Sequence, residues 1–318
     1  MNNISTRLLS LTCIVAILVL TSCKGDTVRN NDALFTLMPA TGINFENNVA
    51  DKEFDNSFLF RNFYNGGGVA IGDLNNDSLP DVFFTSNMAD NKLYLNKGNF
   101  QFDDITAKSG IKQDSMWSTG VLFVDINNDG WLDIYVCNSG HMSTGHRRNQ
   151  LFINNHNLTF TESAKQYGLD ISAYSTQVSF FDFDNDGDLD CFMINNSPIP
   201  VNQLNYIADR DKPQDQWKVG EFLKGGGDHL FKNDNGHFTE ITKEAGIHGS
   251  LISFGLGVSV GDINNDGWPD VYVSNDSYER DYLYINQRDG TFKDEFESYF
   301  QHTSMSSMGT DIADINND

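Results

Sequence analysis

DINNDGWLD, residues 125–133, decides the fold, because the same nine-residue pattern returns along the chain. It stands as DLNNDSLPD at 73–81, as DFDNDGDLD at 182–190 and as DINNDGWPD at 262–270, and a further copy begins as DINND at 314–318. The copies start 52, 57, 80 and 52 residues apart. Self-similarity at such a period signals a repeat architecture. GGGVAIGD, STGVLFVD, STQVSFFD and GLGVSVGD lead into the loops, and VFFTSN, IYVCNS, CFMINNS and VYVSND leave them. Runs rich in β-branched and aromatic residues read as strands, so the loop is a hairpin connection. A third strand (KLYLN, QLFIN, HLFKN, YLYIN) and a fourth (FQFDDIT, LTFTES, HFTEIT, TFKDEF) follow in each complete copy. With the strands lettered a to d, the expected fold class is all-β. It is a β-propeller of four-stranded blades with the acidic loop between a and b, four blades complete and a fifth begun.

The loop chemistry points to calcium. A D-x-[DN]-x-D-G-x-x-D loop sets side-chain oxygens at positions 1, 3, 5 and 9, with a carbonyl from position 7, around one hard cation that takes six to eight oxygen ligands. The candidate ligands are Asp73, Asn75, Asp77 and Asp81 in the first loop, and Asp125, Asn127, Asp129 and Asp133 in the second. They are Asp182, Asp184, Asp186 and Asp190 in the third, Asp262, Asn264, Asp266 and Asp270 in the fourth, and Asp314, Asn316 and Asp318 in the fifth. About one Ca2+ per complete loop is expected. Magnesium fits less well, because it resists dehydration and demands tighter octahedral geometry. A metal-free Asx-turn hairpin is the alternative. Gly at position 6 permits φ > 0; the first loop has Ser78 there, which must tolerate or avoid that conformation. An EF-hand is excluded, since position 12 holds Phe84, Val136, Met193 and Val273 instead of a bidentate Glu.

The 318 residues carry 21 Lys and Arg against 44 Asp and Glu, a formal net charge of −23. No basic stripe is available for nucleic acid or for an anionic lipid surface. With 24 Phe and 11 Tyr the chain can bury a core.

Residues 8–20 (LLSLTCIVAILVL) follow Arg7 as an apolar run too short to span a bilayer. It matches the apolar region of a secretory signal. Leu20-Thr21-Ser22-Cys23 resembles a bacterial lipobox that would lipidate Cys23, and Lys24 after the Cys implies outer-membrane sorting, facing the surface or the periplasm. An ordinary signal cut near Ser22 is the alternative. The expected organisation is a lipoprotein signal at 1–22, a tether at 23–33, a strand segment serving propeller closure at 34–65, and blades over 66–318. Cys137 and Cys191 lie four residues and one residue past their loop's last Asp, at opposite parities, which argues for two buried thiols and against a disulfide.

Spacing shows where variation is tolerated. From the Asn that closes strand c (Asn96, Asn154, Asn233, Asn286) to the next loop is 28 or 29 residues throughout. From each loop to that Asn is 23, 29, 51 and 24 residues, so the slack lies between strands b and c, on the face opposite the acidic loops. Scaffolded loops of this kind carry function. The third-blade insertion, about residues 196–227, holds Tyr206, Trp217 and Phe222; a smaller one in the second blade holds His141, His146 and Arg147. These six are the candidate ligand-contacting residues. Packing of the loop on its neighbours, with Trp217 as a plug, is the competing reading.

The repeats resemble the FG-GAP/VCBS class of integrin α-subunit propellers and of cartilage acidic protein-type (ASPIC/UnbV-associated) proteins. FRNFYNGGG at 60–68, leading into IGD at 71–73, looks like the first blade of bacterial surface lipoproteins of that class. The resemblance covers about residues 34–318. It implies a seven-bladed propeller with calcium in the a–b hairpins, often followed by an ASPIC/UnbV domain. That domain is not seen here, and the chain stops inside a loop, so a longer parent protein is expected. The leading functional expectation is a non-catalytic, calcium-stabilised lipoprotein of the bacterial envelope that binds glycan or an envelope or extracellular protein. The alternative is a carbohydrate-active propeller enzyme, such as a polysaccharide lyase, with its site on the b–c face. No H-E-x-x-H or Walker loop is present, and the loops claim nearly all paired carboxylates.

Overall fold

The computed structural model describes residues 34–53, 56–58, 62–112, 116–140, 147–199, 212–276 and 279–316. The described residues 34–39 carry no helix or strand and fall outside the compact unit that begins at residue 40. Among the described residues no helix is long and apolar enough to cross a membrane.

From residue 40 onward the chain builds four antiparallel sheets, each with its four strands side by side in chain order. Blade one is β1 (Val69–Gly72), β2 (Asp81–Phe84), β3 (Lys92–Asn96) and β4 (Phe102–Asp104). Blade two is β5 (Trp117–Val124), β6 (Asp133–Ser139), β7 (Gln150–Asn154) and β8 (Phe160–Glu162). Blade three is β9 (Ser175–Phe181), β10 (Asp190–Asn195), β11 (His229–Asp234) and β12 (His237–Glu240). Blade four is β13 (Gly255–Gly261), β14 (Asp270–Asn275), β15 (Tyr282–Asn286) and β16 (Phe292–Asp294). The expected strands and fold class are therefore present. The last Asp of each loop opens strand b in one register, pairing Gly72 with Asp81, Val124 with Asp133, Phe181 with Asp190 and Gly261 with Asp270.

The b strands of blades two and three are apolar on both faces because each is buried between two blades. Ile134 and Val136 pack toward blade one with Phe83, Leu93 and Leu95. Tyr135 and Cys137 pack toward blade three with Cys191, Met193 and Phe231. Phe192 and Ile194 pack toward blade four with Val271, Val273 and Tyr284. This geometry corrects the parity argument about the cysteines. Side chains alternate along a strand, so opposite parities on neighbouring blades aim both thiols into the same interface. Cys137 and Cys191 are free and buried, and burial pushes both thiols up.

A second repeat locks each blade to the next. Ser109-Gly110-Ile111, Tyr167-Gly168-Leu169 and Ala245-Gly246-Ile247 follow the d strands, and Thr41-Gly42-Ile43 precedes blade one. All four glycines have positive φ, 76° to 85°. A Cβ on them would come within 2.2 to 3.3 Å of the carbonyl oxygen of Phe160, Phe238, Phe292 or Phe102, each the first or second residue of the following blade's d strand. Only Gly meets both demands. The 34–65 segment was expected to be a strand and has none among its described residues. Residues 41–47 instead run as a strap along blade one: Phe102 N–H donates to Thr41 O at 2.8 Å, Phe45 stacks on Phe84 at 4.8 Å, and Asn87 N–H donates to Asn47 Oδ1 at 3.0 Å. A strand ladder is unnecessary there, because the Gly-Ile contact already covers the blade's d strand.

The residue before each c strand clips the end of strand b. Ser86 N–H donates to Asn91 Oδ1 at 2.8 Å, Asn138 N–H to Asn149 Oδ1 at 2.7 Å, and Asn275 N–H to Asp281 Oδ1 at 2.8 Å. Asp228 is the equivalent in blade three, but its oxygens meet Ser253 Oγ at 3.3 Å and Tyr284 OH at 3.4 Å. Burial, partly offset by those two hydroxyls, pushes its carboxyl up to about 8. The folded state thus holds a proton that the unfolded chain releases at ordinary carboxylate pH. The stability this gives is complete below about pH 4 and is lost as pH rises through about 8. Asp228→Asn should remove that slope, so its melting temperature relative to the parent rises from pH 5 to pH 8.5. Parallel melting curves across that range would contradict the assignment.

Candidate metal centres and ligand face

The four complete loops share one hydrogen-bond plan. The position-1 carboxylate accepts the N–H of position 5 on Oδ1 and of position 6 on Oδ2. For Asp125 these are Asp129 at 2.9 Å and Gly130 at 2.8 Å; for Asp262 they are Asp266 at 2.9 Å and Gly267 at 2.8 Å. The position-5 carboxylate accepts the N–H of position 7, as Asp129 does from Trp131 at 2.9 Å. Position 9 is the hub, and Asp81, Asp133, Asp190 and Asp270 are at most 1% exposed. In each, Oδ2 accepts the position-2 N–H, while Oδ1 accepts the N–H of the Asn closing strand c, at 2.7 to 2.9 Å.

Backbone conformation follows the sequence. Position 6 is left-handed in every complete loop, including Ser78 at φ 68°, so Ser78 tolerates the conformation. Position 4 is left-handed too, at φ 56° to 58°, and it is Asn76, Asn128, Asn185 or Asn265. Asn is the side chain best suited to αL after Gly. That signal is visible in the sequence, as is the closing Asn, which belongs to the site. Asn154 Oδ1 accepts the His156 N–H at 2.9 Å, and its Nδ2 reaches Leu132 O at 3.0 Å and Leu74 O at 2.8 Å, the latter in the preceding blade's loop. Asn286 likewise reaches Phe183 O in the loop of blade three at 2.8 Å.

The donor set fits calcium: hard, oxygen-only and overcharged. Burial pushes Asp133 up to about 6 and Asp190 up to about 7. The accepted N–H groups pull the other way, and neighbouring loop carboxylates add to the rise. Asp81 and Asp270 are raised for the same reasons. In loop three, one carboxylate oxygen each of Asp182, Asp184 and Asp190 lie within 4.8 Å of one another. Side chains of the c–d side meet the position-5 carboxylates: His156 Nε2 lies 3.1 Å from Asp129 Oδ2, and the Arg288 guanidinium, with Nη2 2.8 Å from Asp266 Oδ2, offsets part of the charge. In the begun fifth loop, Asp314 and Asn316 are exposed and Asp318 lies outside the described residues.

On the b–c face the candidates divide. Trp217 is 7% exposed and packs with Ile199, Leu251, Ile252 and Phe254, its Nε1 donating to Lys212 O at 3.1 Å. The structure therefore places it as the plug. Arg147 is buried: its guanidinium lies 4.1 Å over the Tyr174 ring, and Nη1 donates to Phe222 O at 3.1 Å, an oxygen that also accepts from Tyr174 OH at 2.6 Å. Arg147 thus ties the second-blade loop to the third-blade insertion. Phe222 presents a half-exposed ring. His141, His146 and Tyr206 lie outside the described residues, as does Cys23. At the axis, where the inner strands begin, a cavity of about 450 Å3 is lined by Tyr64, Asn65, Thr119, Gln177, Ser139 and Asp276 among others. Ser139, 1% exposed, and Asp276 each hold a buried oxygen there with no hydrogen-bond partner.

Four-stranded blades with acidic a–b hairpins define a repeat propeller, and the sequence matches the FG-GAP-like repeat model at residues 73–136, 141–193, 222–273 and 262–318. The chain belongs to that family. It is similar to cartilage acidic protein 1 of Xenopus tropicalis, 33% identical over 135 residues, 42% of this chain and 20% of that protein. It is also similar to the mouse and human proteins of that name, 30% identical over 130 and 133 residues. The chain thus spans about a fifth of the length of these curated relatives.

Proposed function

We propose that the chain is a calcium-stabilised, non-catalytic binding module of the bacterial envelope, anchored through Cys23, which takes a glycan or an extracellular protein on its b–c face. The axial cavity carries the reading. Ser139 and Asp276 keep buried oxygens without partners there, and a buried polar atom left unpaired is destabilising unless a ligand or water meets it. Hydroxyl-rich sugars supply such partners. The division of labour between faces supports it: the acidic loops hold one length throughout, whereas the b–c loops vary by up to 28 residues. Lipid attachment rests on the LTSC sequence at 20–23, and stable anchoring by acyl chains requires two such signals or a diacyl group.

A glycan array probed with the parent and with Ser139→Ala/Asp276→Asn tests the site. The parent should retain at least one glycan class, and the double variant should lose it with calcium-dependent melting intact. Equal retention by both proteins would remove the cavity from the reading. Turnover of the bound glycan would replace binding by catalysis.

A further inference from the structure

Loop three departs from its sisters at two places at once. Position 3 is Asp184 where the other complete loops have Asn75, Asn127 and Asn264, and strand c carries Lys232 where Leu95, Ile153 and Ile285 stand. In the sister loops the Asn Nδ2 donates to Oδ2 of the position-5 Asp at 2.9 Å. Asp184 has no amide to give, and the ammonium of Lys232 takes that place. Its Nζ pairs with Asp184 Oδ2 and lies 3.2 Å from Asp186 Oδ2. Asp186 Oδ1 accepts the Asp188 N–H at 3.1 Å, so Oδ2 is the oxygen left to face an ion. Asp184 Oδ1 is buried with no hydrogen-bond partner. His156 and Arg288 also bridge to the position-5 carboxylate of their own loop, whereas Lys232 spans positions 3 and 5 together.

We infer that Lys232 is a built-in counter-cation that competes with calcium for loop three and makes it the weak, exchanging metal site among the complete loops. This rests on the calcium reading of the loops. A divalent ion on Asp184 and Asp186 must share their oxygens with the ammonium, against like-charge repulsion at contact distance, or displace it and break both ion pairs. Lys232 has somewhere to go, since its side chain is 38% exposed. Loop three therefore passes between an internal monovalent cation and an external divalent one as calcium rises, while its sisters are already filled.

Calcium titration of the full chain by calorimetry tests this, with Asp182→Asn used to mark the loop-three step. Lys232→Ile, the residue found at Ile153 and Ile285, should tighten that step about tenfold and leave the others unchanged, the scale of one screened charge contact. Lys232→Arg should stay weak. Lys232→Met provides the same neutralisation where a branched side chain packs poorly, with folding of each variant checked by melting. A loop-three step unchanged or weakened in the neutral variants overturns the inference and leaves calcium binding by the loops standing. A parent that takes up no calcium overturns both.

Discussion

Chelation with EDTA is expected to lower the melting temperature by roughly 20 °C, and added calcium to restore it. Extracellular calcium modules bind at about 10⁻⁴–10⁻³ M. At about 10 mM calcium a loop with Kd near 10⁻⁴ M gains about 2.7 kcal/mol. Several loops filled together give on the order of 10 kcal/mol, and each kcal/mol is about 2 °C in a domain of this size. The physical origin is the position-9 hub: Asp133 and Asp190, pushed up to about 6 and about 7 by burial, are loop carboxylates whose buried charge a cation would offset. A melting curve indifferent to EDTA, in protein shown to start calcium-bound, would sink the metal reading.

The second large effect is expected from Asn154→Ala. That side chain accepts from His156 N–H and donates to Leu132 O and Leu74 O. Each group is left without its partner when the amide goes, at about 1–3 kcal/mol apiece where water cannot replace it. The variant should lose roughly 3–6 kcal/mol with or without calcium. Asn154→Asp should differ in kind, keeping the bond from His156 and placing a charge against two carbonyls. Chemical denaturation in EDTA separates the staple from the ion, and a loss below about 1 kcal/mol would show that the amide is dispensable.

The blades were legible because two signals recur together: a short continuous apolar run in strand b, such as IYVC or CFMI, and a nine-residue acidic loop immediately before it. Asn76, Asn128, Asn185 and Asn265 show that even the left-handed turns are written in the chain. What was not legible depends on contacts between blades. The parity of Cys137 and Cys191 has no meaning until the blades are known to face each other. Arg147 reads as a solvated rim charge until Tyr174 and Phe222, remote in sequence, close over it. Thr41-Gly42-Ile43 is too short to register as a repeat beside the acidic loops, although it makes the same contact as its three counterparts.

The Asn staples have a consequence beyond the strength of any single bond. Asn154 ties loop two to loop one and Asn286 ties loop four to loop three, while Asn76 Nδ2 adds a bond to Gly130 O at 3.1 Å. The face is thus coupled in neighbouring pairs, loop one with loop two and loop three with loop four. Under the calcium proposal, an ion that orders one hairpin of a pair would lower the entropic penalty for ordering its partner, and a vacancy in one would be felt first by the hairpin tied to it.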